Sequence, residues 1–231
     1  MPSREPTLYL HEEIMLLALR DEKGTVEFGS QYAYSLGGAI LAELLQGGRI
    51  AVEDGKKKLV DLRSAKRLGD PVIDECLGKI AAAGRRASIQ TWLQRFAQLK
   101  KLHHRVAERL CERGILRADR EKVLLIFNRT VYPEINPQPE RRMIERMRKA
   151  IFNDGPRVDA RTGILISLAK GANLLGIPFD KKELKRRKKR IEQITNGELL
   201  GKAAAEAIEA AQAAVMVACI IPAVIVPTIS S

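Results

Sequence analysis

The stretch that decides the fold is AAAEAIEAAQAAVMVACIIPAVIVPTI, which runs from Ala203 to Ile229. From Ala210 onward it carries no charge for 20 residues, long enough at 1.5 Å per residue to cross a hydrocarbon core of roughly 30 Å. Four residues favour burial in a protein core instead, because they are charged or interrupt a helix: Glu206, Glu209, Pro222 and Pro227. We therefore predict a core helix around which the chain wraps, with a membrane span as the alternative.

The composition bounds the class of protein. The 231 residues fit one domain, and a hydrophobic fraction of 45% supplies a sizeable core. Aromatic residues make up only 4%, which argues against an aromatic stacking platform for single-stranded nucleic acid. The net charge of +12 predicts a polyanionic partner, either nucleic acid or an anionic membrane surface.

The cysteines and the N-terminus indicate an intracellular protein. Cys76, Cys111 and Cys219 are odd in number and lie in apolar helical contexts, which is typical of buried free thiols. The opening MPSREPT has neither an apolar signal region nor an amphipathic transit segment, so we expect a cytoplasmic protein with a short flexible N-terminus over residues 1–7.

Apolar residues recur at helical spacing through most of the chain. The predicted helices cover residues 8–21, 31–46, 71–83, 88–113 with a break near Lys100, 139–153, 159–175 and 180–195. Two short β-hairpins interrupt them. The first runs from Arg49 to Asp61 with Asp54-Gly55 as its turn, and the second from Ile115 to Val131 with Ala118–Lys122 at its turn. The predicted fold class is mainly α.

Catalytic motifs are missing from this sequence. It has no GxSxG, no Gly-rich phosphate loop with its Lys, and no paired metal-ligand spacing. His103 and His104 are adjacent, so on a helix they point about 100° apart and cannot chelate one ion. We expect a non-enzymatic protein without metal or cofactor.

Each hairpin follows a helix that ends at glycine, a pattern that resembles a winged helix. With the basic charge, this makes nucleic-acid binding the alternative function. However, no short helix-turn-helix tandem precedes either hairpin.

The densest charge run has eight Lys or Arg among the ten residues Lys181 to Arg190. It is either a solvated helical face or a polybasic surface toward anionic lipid, where each cation near the membrane contributes about 1 kcal/mol. The sequence leaves both interpretations open.

The first helix carries a specific motif that resembles the opening of the Golgi phosphoprotein 3 family. It reads Leu8-x-Leu10-x-Glu12-Glu13-Ile14-x-Leu16-Leu17-x-Leu19-x-Asp21-x-x-Gly24. Further similarity supplies order and spacing at Phe28, Gly38-x-x-Leu41-x-Glu43-Leu44, Gly48-Arg49-Ile50, Glu108-Arg109-Leu110, Gly114-Ile115-Leu116, Tyr132-Pro133, Asp159-x-Arg161 and Leu165-Ile166-x-Leu168-Ala169. The resemblance covers residues 8–221 as one helical domain and leaves 222–231 as an apolar tail.

The resemblance implies a central hydrophobic helix bundle ringed by amphipathic helices, with an exposed β-hairpin. It makes the segment from Glu198 to Ile221 a helix of that bundle. It also implies a peripheral membrane protein on the cytoplasmic side that binds phosphatidylinositol 4-phosphate on a basic face. Eukaryotic members are adaptors that link the cytoplasmic tails of glycosyltransferases to coatomer, so membrane-protein tails are expected partners. The N-terminal extension that reaches coatomer has no counterpart before Thr7, which fits a prokaryotic relative.

The family's head-group pocket, a Trp and three Arg, falls here at Gly29, Gly37, Lys100 and His103. Lys offers phosphate a point charge where Arg donates two parallel hydrogen bonds, so we expect a looser attraction to anionic phospholipid. The cations expected to provide it are Lys56, Lys57, Lys58, Lys100, Lys101 and Arg105.

The family's hairpin, which contacts membrane and mediates self-association, matches Asp119 to Phe127. Its apolar character is retained at Val123, Leu124, Leu125 and Ile126. The resemblance therefore implies membrane contact or a homo-oligomer through these four residues.

Overall fold

A computed structural model describes residues 7–19, 30–123 and 127–199 of the chain. Over these ranges the fold is mainly helical, with two separate two-stranded antiparallel sheets, as predicted. The elements are α1 (Leu10–Ala18), α2 (Ser30–Gln46), β1 (Ile50–Val52), β2 (Val60–Leu62), α3 (Pro71–Ala81), α4 (Ile89–Ala97), α5 (Leu102–Glu112), β3 (Asp119–Val123), β4 (Phe127–Val131), α6 (Gln138–Phe152), α7 (Ala160–Gly171), α8 (Lys181–Arg186) and α9 (Lys188–Thr195).

Helix α1 lies at the centre of the described fold. All nine of its residues are buried, and it packs against α2, α5, α6 and α7. The stretch from Ala203 to Ile229, predicted from its apolar sequence to be the central core helix, lies outside the described residues. The core helix from Glu198 to Ile221 and the tail over residues 222–231 therefore stay predictions.

Charged side chains accompany α1 into the core. Glu12 is fully buried and forms an ion pair with Arg113, while Glu13 accepts a hydrogen bond from Arg146 at 2.7 Å and lies 3.5 Å from Arg161. Burial raises the pKa of Glu13, although both arginines act to lower it. Helix α1 can therefore be buried only because Arg113, Arg146 and Arg161 pair with its two carboxylates.

Asp70 caps α3 and also reaches α1. Its Oδ1 accepts from the backbone N–H groups of Val72 (3.0 Å) and Ile73 (2.9 Å) and lies 3.5 Å from Nε2 of the fully buried His11. Burial alone would raise the pKa of Asp70, but His11 and the two N–H groups outweigh it and hold that pKa below its ordinary value. Asp70 therefore fixes the start of α3 against the central helix.

Helices α2 and α4 approach closely at Gly37. A β-carbon added there would lie 3.1 Å from both the Leu93 carbonyl oxygen and the Ala97 nitrogen of α4. Gly78 of α3 is the opposite case, because a β-carbon there meets nothing within 4 Å. Glycine at position 37 is therefore explained by helix packing.

We expect Gly37→Ala to destabilise the protein and Gly78→Ala to stabilise it. At position 37 an overpacking cost of about 1–3 kcal/mol exceeds the roughly 0.5–1 kcal/mol that alanine gains over glycine in a helix. At position 78 only the gain applies. Urea unfolding of both variants measures the difference, and equal effects of the two substitutions would contradict the close contact.

Both hairpins form, but the turn predicted for the second was wrong. Residues 119–122, expected as a turn, belong to β3, which pairs along its whole length with β4 from Asp119↔Val131 to Val123↔Phe127. A two-stranded ribbon does not have to bury a face, so charged residues are tolerated along it; Arg120, Arg129 and Thr130 are exposed. Charge pattern was therefore a poor guide to the turn.

Candidate functional site

The first hairpin carries three lysines and is attached to the start of α4. Lys56 and Lys57 are exposed in the connection between its strands, and Lys58, the next residue of that connection, has a positive φ of 44°. Two backbone hydrogen bonds hold the hairpin to α4: Ile89 N–H donates to the Lys58 carbonyl at 3.0 Å, and Val60 N–H donates to the Ala87 carbonyl at 2.9 Å. The lysines therefore project from a fixed base.

Arg86 neutralises acidic residues beside these lysines. One of its nitrogens donates to Glu53, directly after β1, at 3.0 Å and to Asp61, on β2, at 2.8 Å. Two of the three acids of the hairpin are thus already paired, which leaves the lysine charge largely uncompensated. The loop after β2 adds three exposed cations that the sequence analysis did not single out: Arg63, Lys66 and Arg67.

The other end of α4 carries a second pair of exposed lysines. Lys100 and Lys101 form the break between α4 and α5, and Lys101 adopts φ 55° at the start of α5. Arg105, one turn into α5, forms an ion pair with Glu75. Helix α4 has 9 residues and so spans about 13.5 Å, which places the two lysine groups at opposite ends of one short helix.

The two histidines beside Lys101 are only partly exposed. His104 Nδ1 lies 2.7 Å from the Tyr132 hydroxyl, and the rings of His103 and His104 are 3.7 Å apart at their centroids. Burial, with His104 acting in the same direction, lowers the pKa of His103 to about 4. His103 is therefore neutral at physiological pH.

The remaining positions of the family pocket lie elsewhere. Gly37 is buried in the contact between α2 and α4, and Gly29 lies outside the described residues. The one tryptophan of the chain, Trp92, is buried in α4 with Arg95 stacked 4.7 Å from its ring centre. Of the four pocket positions, the structure thus brings Lys100 and His103 together beside Lys101.

The structure describes the second hairpin up to Val123 and again from Phe127. Val123 ends β3 opposite Phe127. Leu124, Leu125 and Ile126 lie outside the described residues, so their membrane contact stays a prediction.

The geometry does not favour a winged helix. Residues 35–44 of α2 are all buried, so the helix before the first hairpin cannot enter a DNA groove. On α5 and at its C-terminal cap, before the second hairpin, three arginines are engaged by acids: Arg105 by Glu75, Arg109 by Glu112 and Arg113 by Glu12. Charges that are paired within the fold contribute little to phosphate contacts.

In residues 7–19, 30–123 and 127–199, no group of three His, Cys, Asp or Glu side chains is placed to hold a metal ion. None of the helices there is both long and apolar enough to cross a bilayer.

A central buried helix ringed by amphipathic helices, with basic residues on its periphery, defines the class of fold, and sequence comparison identifies the family. The model of the Golgi phosphoprotein 3 (GPP34) family matches residues 10–211, and the chain belongs to this family. Vacuolar protein sorting-associated protein 74 of Eremothecium gossypii is 28% identical over 151 residues, which cover 57% of this chain and 45% of that protein. The match thus spans less than half of that relative.

Proposed function

We propose that this protein is a peripheral membrane protein that binds anionic phospholipid head groups through the cations at the two ends of α4. The observation that carries the proposal is the charge left after pairing: Arg86 engages Glu53 and Asp61, while Lys56, Lys57, Lys100 and Lys101 stay exposed. We call the lysines at positions 56–58, 100 and 101 the α4 surface. Phosphatidylinositol 4-phosphate, the ligand implied by the family resemblance, is its proposed head group.

Membership of the Golgi phosphoprotein 3 family supports a non-enzymatic adaptor role on the cytoplasmic face of a membrane. The partners would be cytoplasmic tails of membrane proteins, such as glycosyltransferases. Charge alone gives marginal, reversible membrane binding, so a second contact is needed. We assign it to Val123, which ends β3, and to Leu124, Leu125 and Ile126, which follow it in the sequence; the same four residues are the proposed contact for self-association.

Vesicle co-sedimentation tests the proposal. The protein should sediment with vesicles that contain phosphatidylserine or phosphatidylinositol 4-phosphate and stay in solution with pure phosphatidylcholine. Binding should weaken between ~0.1 M and ~1 M salt, because the Debye length falls from about 10 Å to about 3 Å. Sedimentation that ignores both lipid charge and salt would overturn the proposal. A gel shift with duplex DNA in place of vesicle binding would restore the nucleic-acid alternative.

We expect His103→Arg to strengthen binding to anionic vesicles about fivefold at neutral pH. His103, with a pKa of about 4, carries no charge there, and one added cation near the lipid contributes about 1 kcal/mol. His103→Gln is the matched control and should bind like the parent protein. A loss of binding in the glutamine variant would show that the histidine itself contacts the head group.

A further inference from the structure

Helices α8 and α9 have one exposed basic side and one side that is partly or fully buried. At about 100° per residue, six cations share the outer side, and all of them are exposed: Lys181, Lys182, Lys185, Arg186, Lys188 and Lys189. The inner side is partly or fully buried and consists of Leu184, Arg187, Arg190, Ile191 and Ile194. We call the six outer cations the α8–α9 stripe.

The two inner arginines hold the segment against α6. Arg187 donates to the carbonyl oxygens of Ile151 (3.0 Å) and Phe152 (2.8 Å), and Arg190 donates to those of Ala150 (2.8 Å) and Gly155 (2.9 Å). These carbonyls belong to the end of α6 and the turn after it. The last backbone carbonyls of a helix have no hydrogen-bond donor within the helix, and the two arginines supply one. The same charge run therefore divides into arginines that build the fold and cations that face solvent.

The start of α8 is fixed as well. Asp180 caps it by accepting from the N–H groups of Lys182 (2.9 Å) and Glu183 (3.0 Å). Phe179, one residue earlier, packs edge-on against Phe152 of α6 at 5.5 Å between ring centres. A stripe fixed at its start and along its inner side presents its lysines with little loss of backbone entropy on binding.

Acidic neighbours do little to neutralise the stripe. Lys188 lies 3.8 Å from Glu192, and across the described part of the chain the other five stripe cations form no ion pair. Six adjacent like charges repel one another and destabilise the folded state, in a chain whose net charge is already +12. An anionic partner would relieve this repulsion.

Two helices, α2 and α7, lie between α4 and the α8–α9 segment. Ser35 and Gly37 of α2 point about 200° apart around the helix axis, because they are two residues apart. Ser35 donates to the Leu168 carbonyl of α7 at 3.3 Å, whereas Gly37 contacts α4. Since α9 packs on α7, helices α2 and α7 separate α9 from α4.

We propose that the α8–α9 stripe binds an extended acidic segment of a partner protein. Lys181, Lys185 and Lys189 follow one another at about 6 Å along the helix. Alternate residues of an extended peptide repeat at about 6.6–6.8 Å, so three carboxylates on alternate residues face three lysines. The choice of a protein segment over lipid rests on the proposed function, because that function already assigns the membrane contact to the α4 surface, and α2 and α7 lie between α4 and α9.

Fluorescence anisotropy of the full chain with a labelled peptide of alternating Glu and Ser tests this inference. A peptide of alternating Gln and Ser controls for charge. Variant one carries Lys181→Glu, Lys185→Glu and Lys189→Glu; variant two carries Lys56→Glu, Lys57→Glu and Lys100→Glu and loses the same net charge. Circular dichroism checks folding, and Lys→Gln versions replace any Glu variant that unfolds.

Variant one should bind the acidic peptide roughly tenfold more weakly than the parent protein, because three ion pairs become three repulsions. It should still sediment with anionic vesicles. Variant two should show the reverse pattern. Four results would each overturn the inference. Two concern the peptide: both variants lose peptide binding equally, or the parent protein does not bind the peptide. The others are tighter binding of duplex DNA than of the peptide, and loss of vesicle binding in variant one. Failure of the proposed function would give a different result: the parent protein would then not bind anionic vesicles, whether or not it binds the peptide.

Discussion

Replacing Arg113 with Ala should lower the free energy of unfolding by about 3–5 kcal/mol, because it leaves the Glu12 carboxylate buried without its cation. The side chain of Glu12 is 0% exposed and that of Arg113 only 14%, so water cannot replace the lost partner. Glu12 also accepts from the Tyr9 N–H at 2.8 Å, which ties the carboxylate to the start of α1. Chemical denaturation with tryptophan fluorescence measures the loss.

Two controls separate burial from charge. Arg117→Ala breaks an exposed pair with Asp119 and should change stability far less, because solvent already screens that pair. The double variant Glu12→Gln with Arg113→Met removes both charges and keeps an acceptor for Tyr9, so it should recover most of the loss. If Arg113→Ala lowers the free energy of unfolding no more than Arg117→Ala does, Glu12 and Arg113 do not form a buried ion pair.

Neutralising the α4 surface should nearly abolish binding to anionic vesicles. Lys→Gln at positions 56, 57, 58, 100 and 101 removes five cations at about 1 kcal/mol each, or about 5 kcal/mol in sum. That corresponds to a loss of more than roughly a thousandfold in the partition coefficient. Co-sedimentation over a range of lipid concentrations gives the coefficient.

The α8–α9 stripe offers a control matched in residue type and number. Lys→Gln at positions 181, 182, 185, 188 and 189 removes the same number of charges from a surface that α2 and α7 separate from α4. This variant should keep most of its vesicle binding. Equal losses in the two variants would mean that net charge, and not a particular surface, determines attachment.

Sequence alone predicted most of the elements because the signals for them are local. Apolar periodicity and glycine stops located the described helices to within a few residues, except that the helix predicted over residues 180–195 is divided at Arg187 into α8 and α9. Asp54-Gly55 lies within the connection of the first hairpin, as predicted. The break near Lys100 was also predicted and is confirmed by the separation of α4 from α5. The turn of the second hairpin was missed because polar residues in an exposed ribbon look like turn residues.

Only part of the candidate site could be predicted from the sequence. The lysines of the first hairpin and of the α4–α5 break stand out as cations in the sequence. The position of the first group at the start of α4 depends on two hydrogen bonds, from Val60 N–H to the Ala87 carbonyl and from Ile89 N–H to the Lys58 carbonyl, which no sequence pattern signals. The charge run over residues 181–190 shows the limit most clearly, because Arg187 and Arg190 differ from their neighbours only in facing α6.

The helical class, the two hairpins, the excess of positive charge and the family motif follow from the sequence by itself, since each depends on neighbouring residues or on a sum over the chain. Tertiary structure decided which helix is central among the described residues and which charges are internal. Glu12 and Arg113 are 101 residues apart in the chain, and only folding brings them into contact. Burying an acid is tolerated only where a cation arrives from elsewhere, and that condition is long-range.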